Sequence, residues 1–217
     1  MNLKSFSDIY IDENQFNREK MQYFFDKYTD SGDQIHLRNL YIQLRNLQFK
    51  SDFIFTQEII DLTAICNQLT VACDILTSPV GISFIFCGDE PCYAYGNEKL
   101  ISKALLNLLS NAYLYGTENL IIINTVSSGD FSRIEVLNGG SLPNEFQEKN
   151  GLRFVRKVCN KLNGSFLIEQ TLTHTKAIMS FKATKKPPEE DFYVDYLSFF
   201  NDRLSPVCIE FFGMEHH

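Results

Sequence analysis

Residues 96–116, GNEKLISKALLNLLSNAYLYG, constrain the fold of this chain more than any other stretch of it. Apolar side chains recur there every three or four positions, which predicts a long amphipathic helix. Asn107 and Asn111 interrupt that pattern one turn apart, and two asparagines inside a helix cost about 1 kcal/mol relative to alanine. Either a bound ligand or solvent compensates for that cost. The apolar face predicted to be buried consists of Ile101, Leu105, Leu108, Leu109 and Ala112.

Asn107, Asn111 and Tyr115 share one flank of the predicted helix, each about one turn from the next. Polar side chains on such a flank can face a ligand that is held between the helix and the loops beside it. Two solvated asparagines next to a tyrosine would show the same spacing, so helical periodicity alone leaves both interpretations open.

The elements around this helix predict an α+β fold. Residues 58–76 have a helical apolar period, and residues 81–87, GISFIFC, predict a strand. Four further strands and one helix follow the long helix, and this order predicts helices on one face of a mixed or antiparallel sheet. Gly164 is expected to cap that later helix at its C-terminus. The four strands are predicted at residues 119–126, 131–137, 164–170 and 176–183, and the helix at residues 151–164.

Two amphipathic helices are predicted before the α+β region, at residues 13–28 and 34–49, with Asp33 as the cap of the second. Together they would form a helical hairpin. Its apolar stripe must pack either on the rest of the chain or on a second copy of it. The stripe of the second helix consists of Leu37, Leu40, Tyr41, Leu44 and Leu47.

The chain is therefore predicted to have three parts: the hairpin at residues 1–50, an α/β domain at residues 51–184 and a tail at residues 185–217. A charged linker with two prolines separates the last two parts. The tail is rich in phenylalanine and predicts one helix and one strand, the strand at SPVCIEFFG, residues 205–213.

Composition limits the function classes. The net charge of −7 and a pI near 5.1 argue against non-specific binding of nucleic acid, which needs a basic surface. No apolar run is long enough for a membrane span, and residues 1–14 lack the apolar core of a signal peptide. The six cysteines include no CxxC pair. We therefore expect a cytoplasmic protein whose cysteines are reduced and mostly buried.

The stretch GNEKLISKALLNLLSNAYLY resembles the N box of the GHKL superfamily of gyrase, heat-shock chaperone, histidine-kinase and mismatch-repair ATPases, in its histidine-kinase form. The resemblance implies that Asn111 binds the Mg²⁺ that bridges the ATP phosphates. It also implies that Asn107 occupies the position of the catalytic glutamate of other branches, and that Tyr115 lies near the base. Leu114 replaces the basic residue that the family usually has there.

RIEVLNGGSLP, residues 133–143, resembles the G1 box of the same superfamily. Asn138 stands where the family has an aspartate that accepts a hydrogen bond from the adenine amino group. Gly140 matches the first glycine of the motif, and the second is deleted. A neutral acceptor makes a hydrogen bond about half as strong as a charged one. A tight turn between two strands is the alternative interpretation of this glycine pair.

NGLRFVRKVCNKLNG, residues 150–164, resembles the G2 box, in which glycines let backbone N–H groups approach phosphates at a helix N-terminus. Gly151 and Leu152 match the second glycine and the leucine, and Lys149 replaces the first glycine. The seven residues 144–150 span about 24 Å when extended. That is too short for the helical lid that family kinases fold over the nucleotide.

The resemblance covers roughly residues 55–184 and implies the two-layer α/β sandwich of the Bergerat ATPase fold, a mixed sheet with helices on one face, here preceded by the hairpin. It implies a histidine-kinase-like protein of two-component signal transduction that binds ATP and Mg²⁺ at a partly degenerate site. The implied partner is a response regulator or another signalling protein. The hairpin itself predicts a homodimer.

The phosphoacceptor histidine of a kinase is not identified in the sequence. Residues 1–35 contain no histidine, and His36 and His174 are expected to be a helix-start residue and a hairpin-turn residue. The alternative function is therefore a non-catalytic pseudokinase, phosphotransfer protein or anti-sigma-like adaptor that binds a signalling protein without ATP.

Overall fold

The computed structural model describes residues 18–48, 56–88, 90–140, 150–188, 202 and 205–212. The described residues form two helices, then an α/β region and a final short helix. The helices are α1 (Arg18–Asp30), α2 (Gln34–Gln48), α3 (Leu62–Thr77), α4 (Glu98–Tyr115), α5 (Asn150–Lys161) and α6 (Pro206–Phe212). The strands are β1 (Glu58–Asp61), β2 (Ser83–Phe86), β3 (Tyr93–Gly96), β4 (Leu120–Ser128), β5 (Phe131–Gly139), β6 (Ser165–Gln170) and β7 (His174–Thr184).

The strands form one mixed sheet in the order β1-β3-β7-β5-β4-β2, and β6 pairs with β7 beside this path. One edge of β7 pairs with β5, and its other edge pairs with β6 and then with β3. Among the described strands only β2 and β4 run parallel. The predicted mixed sheet with helices on one face is confirmed.

Helices α3, α4 and α5 cover one face of this sheet, and their apolar sides meet the inward residues of β4 and β5. Those strands bury alternate side chains, as a half-covered sheet requires. The predicted apolar face of α4 is confirmed, because all five of its residues are buried. Each fully buried leucine or isoleucine contributes about 1.5 to 3 kcal/mol of hydrophobic free energy.

The prediction of a single helix over residues 58–76 was wrong at its start. Residues 58–61 form β1, which pairs antiparallel with β3, a strand that the sequence analysis missed. Asp61 then caps α3 by accepting a hydrogen bond from the Ala64 N–H at 2.9 Å. These residues form a strand and not a helix because Ile59 and Ile60 are β-branched and fill an edge position beside β3.

The C-terminus of α5 also differs from the prediction. Asn163, not Gly164, adopts the left-handed conformation, with φ of 57°. The N–H of Gly164 bonds to the carbonyl of Cys159 at 2.8 Å and that of Asn163 to Asn160 at 3.1 Å, which is a Schellman motif. Gly164 is needed for a different reason, since a Cβ there would collide with the carbonyl oxygen of Ser180.

Helix α6 was predicted as a strand, and that prediction was wrong. The run VCIEFF suits either structure by composition, but it lies between two helical surfaces that bury opposite sides of it. Val207 and Phe211 join the core of the α/β region, whereas Cys208 and Ile209 join a second apolar cluster on the hairpin. That second cluster contains Phe25, Leu40, Tyr41, Leu44, Cys208 and Ile209.

The hairpin of α1 and α2 forms as predicted in its described part, and residues 13–17 and 49 lie outside that part. Asp33 caps α2, with its Oδ1 accepting from the His36 N–H at 3.2 Å. Of the two alternatives for the apolar stripe, packing on the same chain is observed, since α6 covers Leu40, Tyr41 and Leu44.

Two further expectations concern cysteines and membranes. All six cysteines are free thiols, and each is buried except Cys87. Across the described ranges, no helix combines the length and the apolar character that a bilayer crossing needs.

Candidate functional site

Helix α4 carries three of the predicted site residues. Its N-terminus is fixed by Asn97, whose Oδ1 accepts a hydrogen bond from the Leu100 N–H at 3.1 Å. Asn107 is completely buried, Asn111 is partly exposed and Tyr115 is 44% exposed. The flank therefore runs from the interior near the middle of the helix to the surface at its C-terminus.

The end of β5 lies beside the C-terminus of α4. A Cβ built on Gly116, the residue that follows α4, would lie 3.8 Å from the Cβ of Asn138. Asn138 stands in register between Ile121 of β4 and Thr175 of β7. Its Nδ2 donates to the carbonyl oxygen of Gly139 at 2.9 Å. The structure thus brings Asn138 and the Tyr115 end of α4 together.

Gly140 forms the turn that follows Asn138. Its φ of 98° lies in the region that favours glycine, and a Cβ there would contact the side chain of Thr117 at 3.0 Å. The Gly140 N–H donates to the Thr173 carbonyl at 2.7 Å, and the Thr175 hydroxyl donates to the Gly140 carbonyl at 2.8 Å. Thr175 is buried and borders Asn138, so it is a candidate site residue that the sequence analysis did not select.

Gly151 and Leu152 lie in the first turn of α5 and both are buried. A Cβ on Gly151 would lie 2.5 Å from Oδ1 of Asn107, so the glycine lets α5 approach α4 at this asparagine. Leu152 packs in the core of the α/β region. In this arrangement both residues serve packing. Lys149 and the remainder of the short lid segment up to residue 149 lie outside the described residues.

Asn107 contacts a residue far away in the sequence. Its Nδ2 donates to Oε2 of Glu210 at 3.4 Å and to the Lys103 carbonyl at 3.3 Å. Its Oδ1 is buried and has no hydrogen-bond partner among the described residues. The amide of the predicted catalytic residue therefore faces a carboxylate of α6.

Glu210 is the centre of a buried polar cluster. Only 2% of its side chain is exposed, and Oε1 accepts hydrogen bonds from the Ser110 hydroxyl at 2.7 Å and from Nε of Arg45 at 2.8 Å. Nη2 of Arg45 lies 2.7 Å from the same oxygen. These hydrogen bonds offset the free-energy cost of removing the Glu210 carboxylate from water. The cluster joins the hairpin, α4 and α6.

Lys103 lies one turn before Asn107 and borders this cluster. Burial lowers the pKa of the Lys103 ammonium to about 8, and the negative charge of Glu210 opposes that shift. Its Nζ lies 5.3 Å from the centre of the Phe154 ring. The region around Asn107 therefore contains two basic side chains, Arg45 and Lys103, and one acidic side chain.

None of Arg45, Lys103 and Glu210 was predicted as a site residue. One signal was present in the sequence, because a lone glutamate inside the apolar run VCIEFF implies a buried carboxylate with a partner. The identity of that partner was not readable, since Arg45 is 165 positions away.

The two ends of the predicted nucleotide site differ in how well they would fit ATP. At the Asn138 end, a partly exposed amide, a glycine turn and an exposed tyrosine form an accessible surface. At the Asn107 end, Glu210 holds the donors, and a carboxylate repels phosphate. No cluster of His, Cys, Asp and Glu that could hold a metal is found in the part of the chain described.

A cavity of about 500 Å³ lies elsewhere, between the hairpin, the end of α3 and α6. None of the predicted site residues lines it. Its walls include Leu37, Arg38, Tyr41, Val80, Tyr113 and Phe212.

Comparisons with known proteins give a fold but no sequence family. No family model matches the sequence, and no curated protein matches it. The nucleotide-free catalytic domain of histidine kinase ThkA superposes with a TM-score of 0.54 at 22% identity, covering 62% of this chain and 100% of that one.

Two larger solved structures extend the match. Full-length ShkA in complex with AMPPNP gives a TM-score of 0.61 at 15% identity, covering 81% of this chain and 41% of that one. ThkA in complex with the response regulator protein TrrA gives a TM-score of 0.57 at 19% identity, covering 79% of this chain and 54% of that one. The α/β region of this chain therefore has the fold of the catalytic ATP-binding domain of histidine kinases.

Proposed function

We propose that this chain is a histidine-kinase-like ATP-binding protein of two-component signal transduction. The observation that carries the proposal is the meeting of Asn138 with the C-terminus of α4, beside the glycine turn at Gly140. Adenine would lie there, with the Oδ1 of Asn138 accepting from its amino group and the ring of Tyr115 against the base. The solved complex of ShkA with AMPPNP, which has the same fold, supports a nucleotide as the ligand.

The Asn111 side of the flank would hold the metal. Asn111 lies between Asn107 and the exposed Tyr115, so its amide oxygen can serve as one Mg²⁺ ligand and the nucleotide phosphates as others. ATP supplies the phosphoryl group for transfer. In this proposal Asn107 has the catalytic position and Gly151 with Leu152 borders the phosphates, which requires that Asn107 become accessible.

The site is proposed to be partly degenerate. Asn138 is a neutral acceptor in place of a carboxylate, and one glycine of the G2-like box has become Lys149. Each lost contact of 1.4 kcal/mol weakens binding tenfold, so we expect a dissociation constant for MgATP weaker than about 100 μM.

A second candidate function is that of a non-catalytic adaptor. The burial of Asn107 under Glu210 favours it, because a protein that has lost nucleotide binding can fill the phosphate end of its site with a carboxylate. In either case the proposed partner is a response regulator or another signalling protein, in keeping with the complex of ThkA with TrrA.

The proposed parts of the chain remain the hairpin, the ATP-binding region and the tail, and the proposed location is the cytoplasm. A homodimer through the hairpin is also part of the proposal. It would use surfaces other than Leu40, Tyr41 and Leu44, which α6 covers.

Calorimetric titration with MgATP and MgADP tests the proposed function. Binding to the full chain that is lost in Asn111→Ala and kept in Asn67→Ala, the same substitution at an exposed asparagine of α3, is the expected result. No heat with either nucleotide at millimolar concentration, from a folded protein, would overturn the ATP-binding proposal and favour the adaptor.

A further inference from the structure

Helix α6 is a wedge with two opposite apolar sides. One side, Val207 and Phe211, packs on the α/β core, where the Phe211 ring lies 6.1 Å from Phe84 and 5.7 Å from Tyr113. The other side, Cys208 and Ile209, packs on the hairpin. A helix of seven residues is not stable in isolation, so α6 depends on the surfaces that pack against it.

The contacts of Glu210 determine where α6 binds. Its carboxylate accepts from Ser110 and Asn107 of α4 and from Arg45 of the hairpin. Burying a carboxylate without such donors is very costly, so the position of α6 depends on that set of contacts. In turn, the amide of Asn107 is committed to α6 and completely buried.

The same donors would suit the phosphates of a nucleotide. Arg45 and Lys103 carry two positive charges around Asn107, and Glu210 cancels one of them. Without Glu210, the amide of Asn107, the hydroxyl of Ser110 and two cations would remain there. A phosphate and the Glu210 carboxylate cannot share these donors, because two anions at hydrogen-bond distance repel strongly.

We propose that α6 is an internal plug of the nucleotide site: docking of Glu210 against Asn107, and binding of nucleotide phosphates at Asn107, exclude one another. This inference rests on the proposed function, since it requires that the site bind a nucleotide. A ligand shifts an equilibrium only by its different affinity for the two states, so nucleotide and plug must each weaken the other by the same factor.

Cys208 is a native thiol of α6, so its reactivity can report the docking of this helix without an introduced cysteine. It is 6% exposed between α6 and the hairpin. In a Cys87→Ser background the four remaining cysteines besides Cys208 are buried in the α/β region, and burial raises the pKa of each of their thiols. The labelling rate of Cys208 by a thiol reagent then measures how often α6 leaves its site.

Two variants release the plug by different routes. Glu210→Gln keeps the shape of the side chain and removes its charge. Ile209→Ser weakens only the hairpin side and leaves every donor around Asn107 in place, so the inference does not depend on one variant folding. Glu169→Gln, on the exposed strand β6, is the matched control for the charge change.

In the Cys87→Ser background, we expect the thiol reagent to label Cys208 about tenfold faster in both variants than in the parent. Both variants should also bind MgATP at least about fivefold more tightly than the parent does. We expect saturating MgATP to speed Cys208 labelling in the parent. Glu169→Gln should change neither quantity.

The two proposals fail in different ways. Equal MgATP affinity in the parent and in both variants, with faster Cys208 labelling, would overturn the plug and leave ATP binding intact. Cys208 labelling as slow in both variants as in the parent would also overturn the plug. Fast labelling with no MgATP binding in any variant would overturn the proposed ATP site, and the plug together with it.

Discussion

Asn107 and Gly151 meet where α4 and α5 cross, and a Cβ on Gly151 would lie 2.5 Å from the Oδ1 of Asn107. Real Cβ atoms do not approach an oxygen so closely, so any other residue at position 151 must push the two helices apart or move the amide. The amide cannot move easily, because its nitrogen donates hydrogen bonds to the Lys103 carbonyl and to the Glu210 carboxylate.

Gly151→Ala should therefore destabilise the protein by about 1 to 3 kcal/mol, the usual cost of overpacking a core. Urea unfolding monitored by circular dichroism measures it. The double variant Asn107→Ala/Gly151→Ala removes the obstructing amide, so its cost should fall below the sum of the two single costs by at least about 1 kcal/mol. Additive costs would show that the contact does not exist.

Asn138→Asp should strengthen nucleotide binding. A carboxylate accepts a hydrogen bond about twice as strongly as an amide does, so we expect MgATP and free adenosine to bind up to about tenfold more tightly. Isothermal titration with adenosine isolates the base from the phosphates. The control is Asn119→Asp, which adds the same charge at an exposed asparagine beside β4. An equal gain in both variants would assign the effect to general charge and not to the adenine contact.

Lys103→Met should stabilise the protein at neutral pH. Burial lowers the pKa of the Lys103 ammonium to about 8 in the folded state, from an ordinary value near 10.5. Below pH 8 the group is charged in both states, so the folded state bears the whole cost of burying the charge. Between pH 8 and 10.5 the folded state has lost a proton that the unfolded state keeps, so this residue makes the free energy of unfolding rise with pH.

The gain from Lys103→Met should accordingly be about 1 to 2 kcal/mol at pH 7 and should shrink as the pH rises from 8 to 10.5. Lys99→Met replaces an exposed lysine of the same helix and serves as the control. Chemical unfolding at several pH values decides the matter. A gain that stays constant up to pH 10.5 would contradict the lowered pKa.

Cys87 should be the fast-reacting thiol of the native protein. It is exposed at the end of β2, whereas the other five cysteines are buried, and burial raises the pKa of Cys159 to about 12. Titration with a chromogenic disulfide at pH 8 should therefore show one fast thiol per chain and five that react at least about tenfold more slowly. Loss of the fast phase in Cys87→Ser completes the assignment; a second fast thiol would mean that a buried cysteine is accessible.

Local patterns predicted the parts of the fold that local forces determine. The apolar face of α4 and the two-residue period of β4 and β5 each require burial of one side, and the structure buries those sides. The order of strands and helices then limited the topology to a mixed or antiparallel sheet with one helical layer. The predicted flank of Asn107, Asn111 and Tyr115 exists, but the sequence did not reveal that its first member is sealed from solvent.

The errors lie where long-range contacts decide the structure. Residues 58–61 continue the helical pattern of α3, yet pairing with β3 makes them a strand. VCIEFF has strand composition, yet contacts with two helical surfaces make it a helix. The partners of Glu210 could not be identified from its local sequence, because Arg45, Asn107 and Ser110 lie 165, 103 and 100 positions away.

The order of synthesis gives the wedge position of α6 a consequence for the nascent chain. The hairpin leaves the ribosome before the sheet, and the helix that covers Leu40, Tyr41 and Leu44 follows every other described element. Helix α6 therefore cannot cover those side chains until the whole sheet has been made, at about 5 to 20 residues per second. During that interval the apolar side chains of the hairpin can bind chaperones or neighbouring nascent chains on the same messenger RNA.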